Sequence, residues 1–158
     1  VFPGMSPSMI SRAAEYALRT MVCLAASADR PETARALAKA TGIPESFQMK
    51  VLQVLRRAGF VHSRRGLGGG FVMARHARSI SVQAVIDAVD GSGPVESPGM
   101  TGSHPLRDLQ RRLRDGAGLM QMLFESITVA ELCGEEAVPS KYASPLAAIQ
   151  AHQPQRLR

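Results

Sequence analysis

The spacing of apolar residues predicts four helices in the first 90 residues. Apolar side chains recur every three or four positions over residues 11–28, 33–40, 44–58 and 81–90, which is the period of an amphipathic helix. Thr33 and Ser81 stand where helix caps are expected, and Pro44 suits a first helical position because no N–H is needed there. The short second helix, the turn residue Gly42 and the longer third helix have the arrangement of a helix-turn-helix.

The third predicted helix is divided into two faces. Its inward stripe is predicted to consist of Phe47, Val51, Val54, Leu55 and Ala58. The other face is mostly polar or basic and is predicted to be exposed, with Ser46, Met49, Lys50, Gln53, Arg56 and Arg57. A helix with such a face is suited to lie against a polyanion.

Two short strand-like runs follow this helix. "FVHSRR" at residues 60–65 and "FVMAR" at 71–75 flank "GLGGG", which predicts a β-hairpin with a glycine-rich tip. The glycines do not make a dinucleotide fingerprint, because Phe71 stands where that motif needs a third glycine. A plain hairpin and a DNA-contacting wing both remain open. We favour the wing, since it also accounts for Arg64 and Arg65, which can pair with phosphate or enter the minor groove.

The C-terminal half contains one long predicted helix. Residues 91–104 are rich in Gly, Pro and Ser and predict a loop, after which Pro105 begins a helix with an apolar stripe. One small domain has little surface to cover that stripe, so we expect a second copy of the chain to do so. The expected dimer-interface residues are Leu106, Leu109, Leu113, Met120, Leu123 and Phe124. "TVAE" at 128–131 is a capping box and predicts a short last helix.

These elements predict a mainly α-helical fold with a small β-hairpin, namely a winged helix-turn-helix domain and a long C-terminal dimerisation helix. We expect a DNA-binding domain over residues 9–90 and a Gly/Pro/Ser-rich effector loop over 91–104. The dimerisation helix and the short capped helix would span 105–133, and a flexible tail 134–158. A small-molecule or protein effector would act at the loop.

Charge is distributed unevenly along the chain. The net charge is +6, and residues 1–80 hold twelve Lys and Arg against four Asp and Glu, whereas residues 81–158 hold seven against nine. No acidic residue occurs between Glu45 and Asp87. A solvated surface usually mixes both signs, so this stretch favours contact with double-stranded DNA.

Other classes of function find little support in the sequence. The longest apolar run, residues 21–26, is far shorter than the roughly 20 residues of a membrane-spanning helix. No membrane partner is therefore expected. The N-terminus lacks a basic segment followed by an apolar stretch and a small-residue cleavage site, so no secretory signal is expected and the cytoplasm is the expected location. Cys23 and Cys133 are too far apart in sequence for a zinc motif, and no nucleophile-base pair indicates an enzyme.

Four segments resemble the Rrf family of bacterial winged-helix transcription regulators. They are "EYALRTMVCLA", "ALAKATGIPESFQMKVLQVLRRAGFVHSRRGLGGGFVMAR", "SISVQAVIDAVDG" and "FESITVAEL". The resemblance covers roughly residues 9–133. The resemblance implies a dimer in which the long helix crosses its mate and lies near the partner's first helix. It also implies that the third helix enters the major groove and the hairpin the minor groove.

The resemblance further implies which residues contact DNA. Ser46, Met49 and Lys50 would lie on the base-reading face of the third helix, with Arg65 in the wing. The full expected set is Ser46, Met49, Lys50, Gln53, Arg56, Arg64, Arg65, Gly68 and Gly69. Gln48 departs from the family, which has an aliphatic residue there.

The resemblance also bears on cofactors. Iron-sulfur members of the family carry three cysteines in the loop equivalent to residues 91–104, where this chain has none and retains only His104. We therefore expect no cofactor and no metal. The predicted function is a homodimeric repressor on a palindromic operator. The alternatives are a module of the same fold that acts through a protein partner, and a thiol-based redox sensor that uses Cys133 or Cys23.

Overall fold

A computed structural model describes residues 10–91 and 104–134, with only the backbone described at 104–106. The elements are α1 (Arg12–Ala26), α2 (Ala34–Thr41), α3 (Glu45–Arg57), β1 (Val61–Arg64), β2 (Gly70–Met73), a 3-10 turn (Ala77–Ser79), α4 (Val82–Asp90), α5 (His104–Ser126) and α6 (Val129–Leu132). The predicted fold class, mainly helical with one antiparallel hairpin, is confirmed. Most of the expected effector loop and tail lies outside the described residues.

Side-chain caps fix where most of the helices begin. Thr33 Oγ1 accepts a hydrogen bond from Ala36 N at 3.1 Å, and Ser81 Oγ accepts one from Ala84 N at 3.1 Å, as their sequence positions predict. The prediction for Pro44 was wrong by one position, because Pro44 is the cap residue and Glu45 the first helical residue. Gly42 ends α2 in the left-handed region, with φ of 72°.

The core lies around α1, which contacts α2, α3, α4 and α6. Its central residues, Ala17, Met21 and Leu24, have almost no exposed surface. They belong to one cluster with buried side chains from the surrounding elements, namely Leu37, Leu52, Leu55, Val61, Ile80, Val85 and Val129. A single continuous core therefore holds the helix-turn-helix, the root of the hairpin and the last short helix together.

The predicted inward stripe of α3 was partly wrong. Val51 and Leu55 are buried as expected, and Leu52 and Gln48 are buried with them. Phe47, in contrast, is 52% exposed, and Ala58 is also exposed. The helix is therefore rotated about its axis relative to the prediction, with Leu52 and Gln48 turned inward in place of Phe47.

Two backbone hydrogen bonds help to fasten the hairpin to the helical domain. β1 and β2 pair in antiparallel register, with Arg64 opposite Gly70 and Ser63 opposite Phe71. Phe71 N donates to Glu32 O at 2.8 Å, and Glu32 N donates to Phe71 O at 3.0 Å. This bridge ties the second strand to the loop between α1 and α2.

The C-terminal helices meet the winged domain at the end of α5. Val82 N donates to Ile127 O at 2.8 Å, and Val129 N donates to Ile80 O at 2.9 Å. Thr128 and Glu131 form the predicted capping box of α6. Within the described ranges, no helix has both the length and the apolar character to cross a membrane.

Candidate nucleic-acid interface

The outward face of α3 gathers five of the expected DNA-contacting side chains. Ser46, Met49, Lys50, Gln53 and Arg56 are all exposed. Their spacing along a helix of 3.6 residues per turn places them on one side. That surface offers hydroxyl, amide and cationic groups, the side-chain chemistry that contacts base edges and phosphates.

An aromatic residue that the sequence analysis placed in the core lies beside this face. The ring of Phe47 meets that of Tyr16 edge to face, with centroids 6.5 Å apart. Lys50 Nζ lies 5.4 Å from the centroid of the Phe47 ring, within the range of a cation–π contact. The ring and the ammonium group thus form one exposed cluster near the N-terminal end of α3.

A buried polar contact joins α3 to two other helices. Gln48 has no exposed surface. Its Nε2 donates to Thr20 Oγ1 of α1 at 3.0 Å, and its Oε1 accepts from Thr41 Oγ1 of α2 at 3.1 Å. The periodicity of apolar residues does not predict this arrangement, because it carries no information about a glutamine and a threonine that lie 28 positions apart. The one available signal was the departure of Gln48 from the family pattern.

The hairpin tip presents side chains of two kinds. Arg64 and Arg65 are exposed, and Leu67 at the tip is fully exposed. Among the residues that the structure describes, no ion pair involves Lys50, Arg56, Arg64 or Arg65. These cations therefore keep their charge available for an anionic partner.

The fold itself gives a reason for each of the four tip glycines. Gly66 and Gly68 adopt positive φ, 100° and 76°, which favours glycine. A Cβ on Gly69 would collide with the carbonyl oxygen of Arg64, and one on Gly70 would lie 2.6 Å from Glu32 O. Their number alone therefore does not distinguish a DNA-contacting wing from a plain hairpin, and the case for the wing rests on the exposed arginines.

The two cysteines lie on neighbouring elements. Cys23 is half-buried in α1, and burial followed by the charge of Glu32 raises the pKa of its thiol. Cys133 Sγ donates to Val129 O at 3.2 Å and approaches Val22 O at 3.7 Å. A raised pKa favours the protonated thiol, whereas the thiolate is both the nucleophile and the metal ligand.

The described part of the chain contains no grouped set of metal ligands. Across residues 10–91 and 104–134, no three His, Cys, Asp or Glu side chains come together in a group able to hold a metal ion. The loop before α5, which lies outside the described residues, contains no cysteine in its sequence. Iron-sulfur clusters are held chiefly by cysteine thiolates.

Comparisons with known proteins agree with this geometry. Residues 10–135 match the Rrf2 family, described as an iron-dependent transcriptional regulator. The chain is 32% identical to the HTH-type transcriptional regulator IscR of Yersinia enterocolitica over 78% of its own length and 77% of the relative's. It is 28% identical to the HTH-type transcriptional repressor NsrR of Streptomyces coelicolor, covering 82% of this chain and 91% of that one.

A solved structure shows the same fold. CymR, the global cysteine regulator of B. subtilis, superposes with a TM-score of 0.68 at 25% identity, covering 81% of this chain and 98% of CymR.

Proposed function

The chain belongs to the Rrf2 family of transcriptional regulators, and we propose that it is a homodimeric repressor that binds a palindromic operator in the cytoplasm. In this proposal residues 9–90 form the DNA-binding domain. Residues 105–133 form the dimerisation unit, and the intervening loop receives a small-molecule or protein effector. Two copies related by a two-fold axis would present two α3 helices to two half-sites of the operator.

The observation that carries the proposal is the surface shared by α3 and the hairpin. This surface combines exposed polar side chains, which can hydrogen-bond to base edges, with cations that have no acidic partner among the described residues. An acidic protein partner would also suit these cations, but a helix-turn-helix followed by a basic hairpin is the geometry by which proteins enter DNA grooves.

The proposed contacts fall into two groups. Ser46, Met49, Lys50 and Gln53 of α3 read base edges in the major groove. Phosphates and the minor groove are contacted by Arg56, Arg64 and Arg65, while Gly68 and Gly69 let the hairpin backbone approach the sugar-phosphate surface.

The test is the salt dependence of DNA binding by a double variant, Arg64→Ala with Arg65→Ala. We expect weaker binding to duplex DNA and a log–log salt slope that is shallower by about one unit for each phosphate that the variant no longer neutralises. Fluorescence anisotropy across a salt series measures both quantities.

A matched control removes another adjacent arginine pair. Arg111 and Arg112 are exposed on α5, and replacing both with Ala lowers the net charge equally. That control should keep the wild-type slope. Equal slopes in the wing variant and the wild type would contradict the proposed wing contact.

We also propose that this regulator works without an iron-sulfur cluster. The chain contains two cysteines, fewer than a cluster held by thiolates alone requires. The raised pKa of the Cys23 thiol also supports this proposal. That raised pKa also disfavours a thiol-based sensor that uses Cys23.

A further inference from the structure

The tip of the hairpin carries an apolar side chain that the described residues do not cover. Leu67 is fully exposed, and a leucine stabilises a folded chain only by being buried. Gly, Pro, Asn, Asp and Ser are the usual residues of turns. The fold of a single chain therefore gives no reason for a leucine at this position.

A closed turn fixes the place of Leu67. Gly69 N donates to Gly66 O at 2.9 Å, which puts Leu67 and Gly68 at the centre of a four-residue turn. Gly68 has a φ of 76°, as a type II turn requires at its third residue. The leucine is thus presented by an ordered backbone at the tip of the hairpin, where a partner can reach its whole side chain.

The charges beside Leu67 favour DNA over an apolar protein surface as its partner. Arg64 and Arg65 are exposed, and neither forms an ion pair among the described residues. An apolar surface would take these cations out of water without a counter-charge, which is costly. Phosphates line the walls of the DNA minor groove, and leucine is one of the side chains that proteins insert there.

We propose that Leu67 is the apolar minor-groove contact of the wing and that it favours an A·T pair where it inserts. The inference rests on the proposed function, because that function places the hairpin in the minor groove. A G·C pair carries the N2 amino group of guanine in this groove, and an A·T pair has no such group. This amino group projects from the groove floor into the space that an inserted side chain needs.

The contact should be recognisable by its response to salt. The slope of log K against log [salt] reports phosphates neutralised by cations, and an apolar contact neutralises none. Leu67→Ala should therefore weaken binding to duplex DNA by about tenfold through lost apolar contact, with an unchanged slope. Leu67 does not have a positive φ, so alanine fits the same backbone and the variant should fold as the wild type does.

A substitution in the DNA tests the preferred base pair. In duplexes that the wild type selects from a random-sequence pool, each A·T pair is replaced in turn by G·C and by inosine·cytosine. Inosine lacks the N2 amino group but is identical to guanine in the major groove. We expect a position where G·C binds the wild type about tenfold more weakly than inosine·cytosine does, the usual size of one unfavourable base pair. Leu67→Ala should bind these two duplexes equally.

The matched control is Leu132→Ala in α6. Leu132 is 44% exposed and lies outside the residues proposed for DNA contact and for the dimer interface. This variant undergoes the same loss of side-chain volume, and it should keep both the affinity and the base preference of the wild type.

The outcomes separate this role from the proposed function. A Leu67→Ala protein that still distinguishes G·C from inosine·cytosine as the wild type does overturns the role of Leu67. So does a wild type that distinguishes the two pairs at no position, and both results leave the proposed function intact. A wild type that selects no sequence contradicts the proposed function, and the role of Leu67 with it.

Discussion

At the residue scale, Gly70 shows how closely the hairpin is fitted to the domain. A Cβ at this position would lie 2.6 Å from Glu32 O and 2.7 Å from Glu32 C. Backbone atoms cannot move aside as the end of a side chain can. Gly70 therefore permits the two hydrogen bonds between Glu32 and Phe71 that fasten the wing.

Gly70→Ala should loosen the wing and destabilise the domain. We expect the free energy of unfolding to fall by about 1–3 kcal/mol, the usual cost of a forced steric overlap. Urea unfolding measures the loss, and faster amide hydrogen exchange at Phe71 locates it.

The control for this substitution is Gly118→Ala. Gly118 lies inside α5 with no atom near the place of a Cβ, and alanine is favoured over glycine within a helix by about 0.5–1 kcal/mol. The two variants should thus shift stability in opposite directions, and equal stability of Gly70→Ala and the wild type would contradict the steric argument.

Single residues are also where sequence reasoning failed. It placed Phe47 inside because the residue falls on the apolar stripe of α3, and it assigned Gln48 to neither face. Thr20 and Thr41 lie 28 and 7 positions from Gln48. Only the folded arrangement of three helices reveals that their hydroxyls converge on one amide.

At the scale of elements, local sequence signals were sufficient for most boundaries. Thr33, Ser81 and the Thr128–Glu131 box cap their helices as predicted, because a cap depends on residues within one turn. The first strand lies inside its predicted run, and the second begins one residue before its run, at Gly70. Rotation of α3 about its own axis could not be predicted, since it depends on contacts with other helices.

Several apolar side chains of the long helix α5 are exposed. Leu109 is 52% exposed and Leu113 is 63% exposed, whereas Met120, Leu123 and Phe124 are half-buried. The side chain of Leu106 lies outside the described residues. The winged domain thus covers the stripe only near its C-terminal end.

Leu113→Asp should convert the proposed dimer into a monomer. An unpaired carboxylate in a buried interface is strongly destabilising, while an exposed position within one chain tolerates it. We expect monomer mass by light scattering and unchanged helix content by circular dichroism.

Met122→Asp is the control, since Met122 is 52% exposed and lies on the opposite side of α5 from the stripe. It should remain dimeric. A dimeric Leu113→Asp protein would contradict the predicted interface.

At the scale of the whole molecule, the fold is that of a transcriptional regulator, but the chain offers few cysteine ligands for iron. The family description names iron dependence, yet the sequence holds two cysteines. The structure places Cys133 Sγ near the backbone of Val22, and one of the two thiols has a raised pKa.

Protein purified without oxygen should therefore be colourless and contain no stoichiometric iron. We would measure the visible absorption spectrum and the iron content of the protein before and after incubation with ferrous iron and sulfide. A coloured protein with stoichiometric iron and sulfide would overturn the cluster-free proposal. Loss of that colour in Cys23→Ala would then identify a ligand.

The length and attachment of α5 allow a small tilt of this helix to produce a large displacement. This helix has 23 residues and is therefore about 35 Å long, and hydrogen bonds to Ile80 and Val82 hold the chain just beyond its C-terminal end. In the proposed dimer the second copy holds the other end, so each degree of tilt about that end displaces the winged domain, which carries α3, by about 0.6 Å. In the proposed dimer, a tilt of about 6° thus equals the roughly 3.4 Å rise of one base pair, so a small angular change would suffice to bring the two recognition helices into or out of register with an operator.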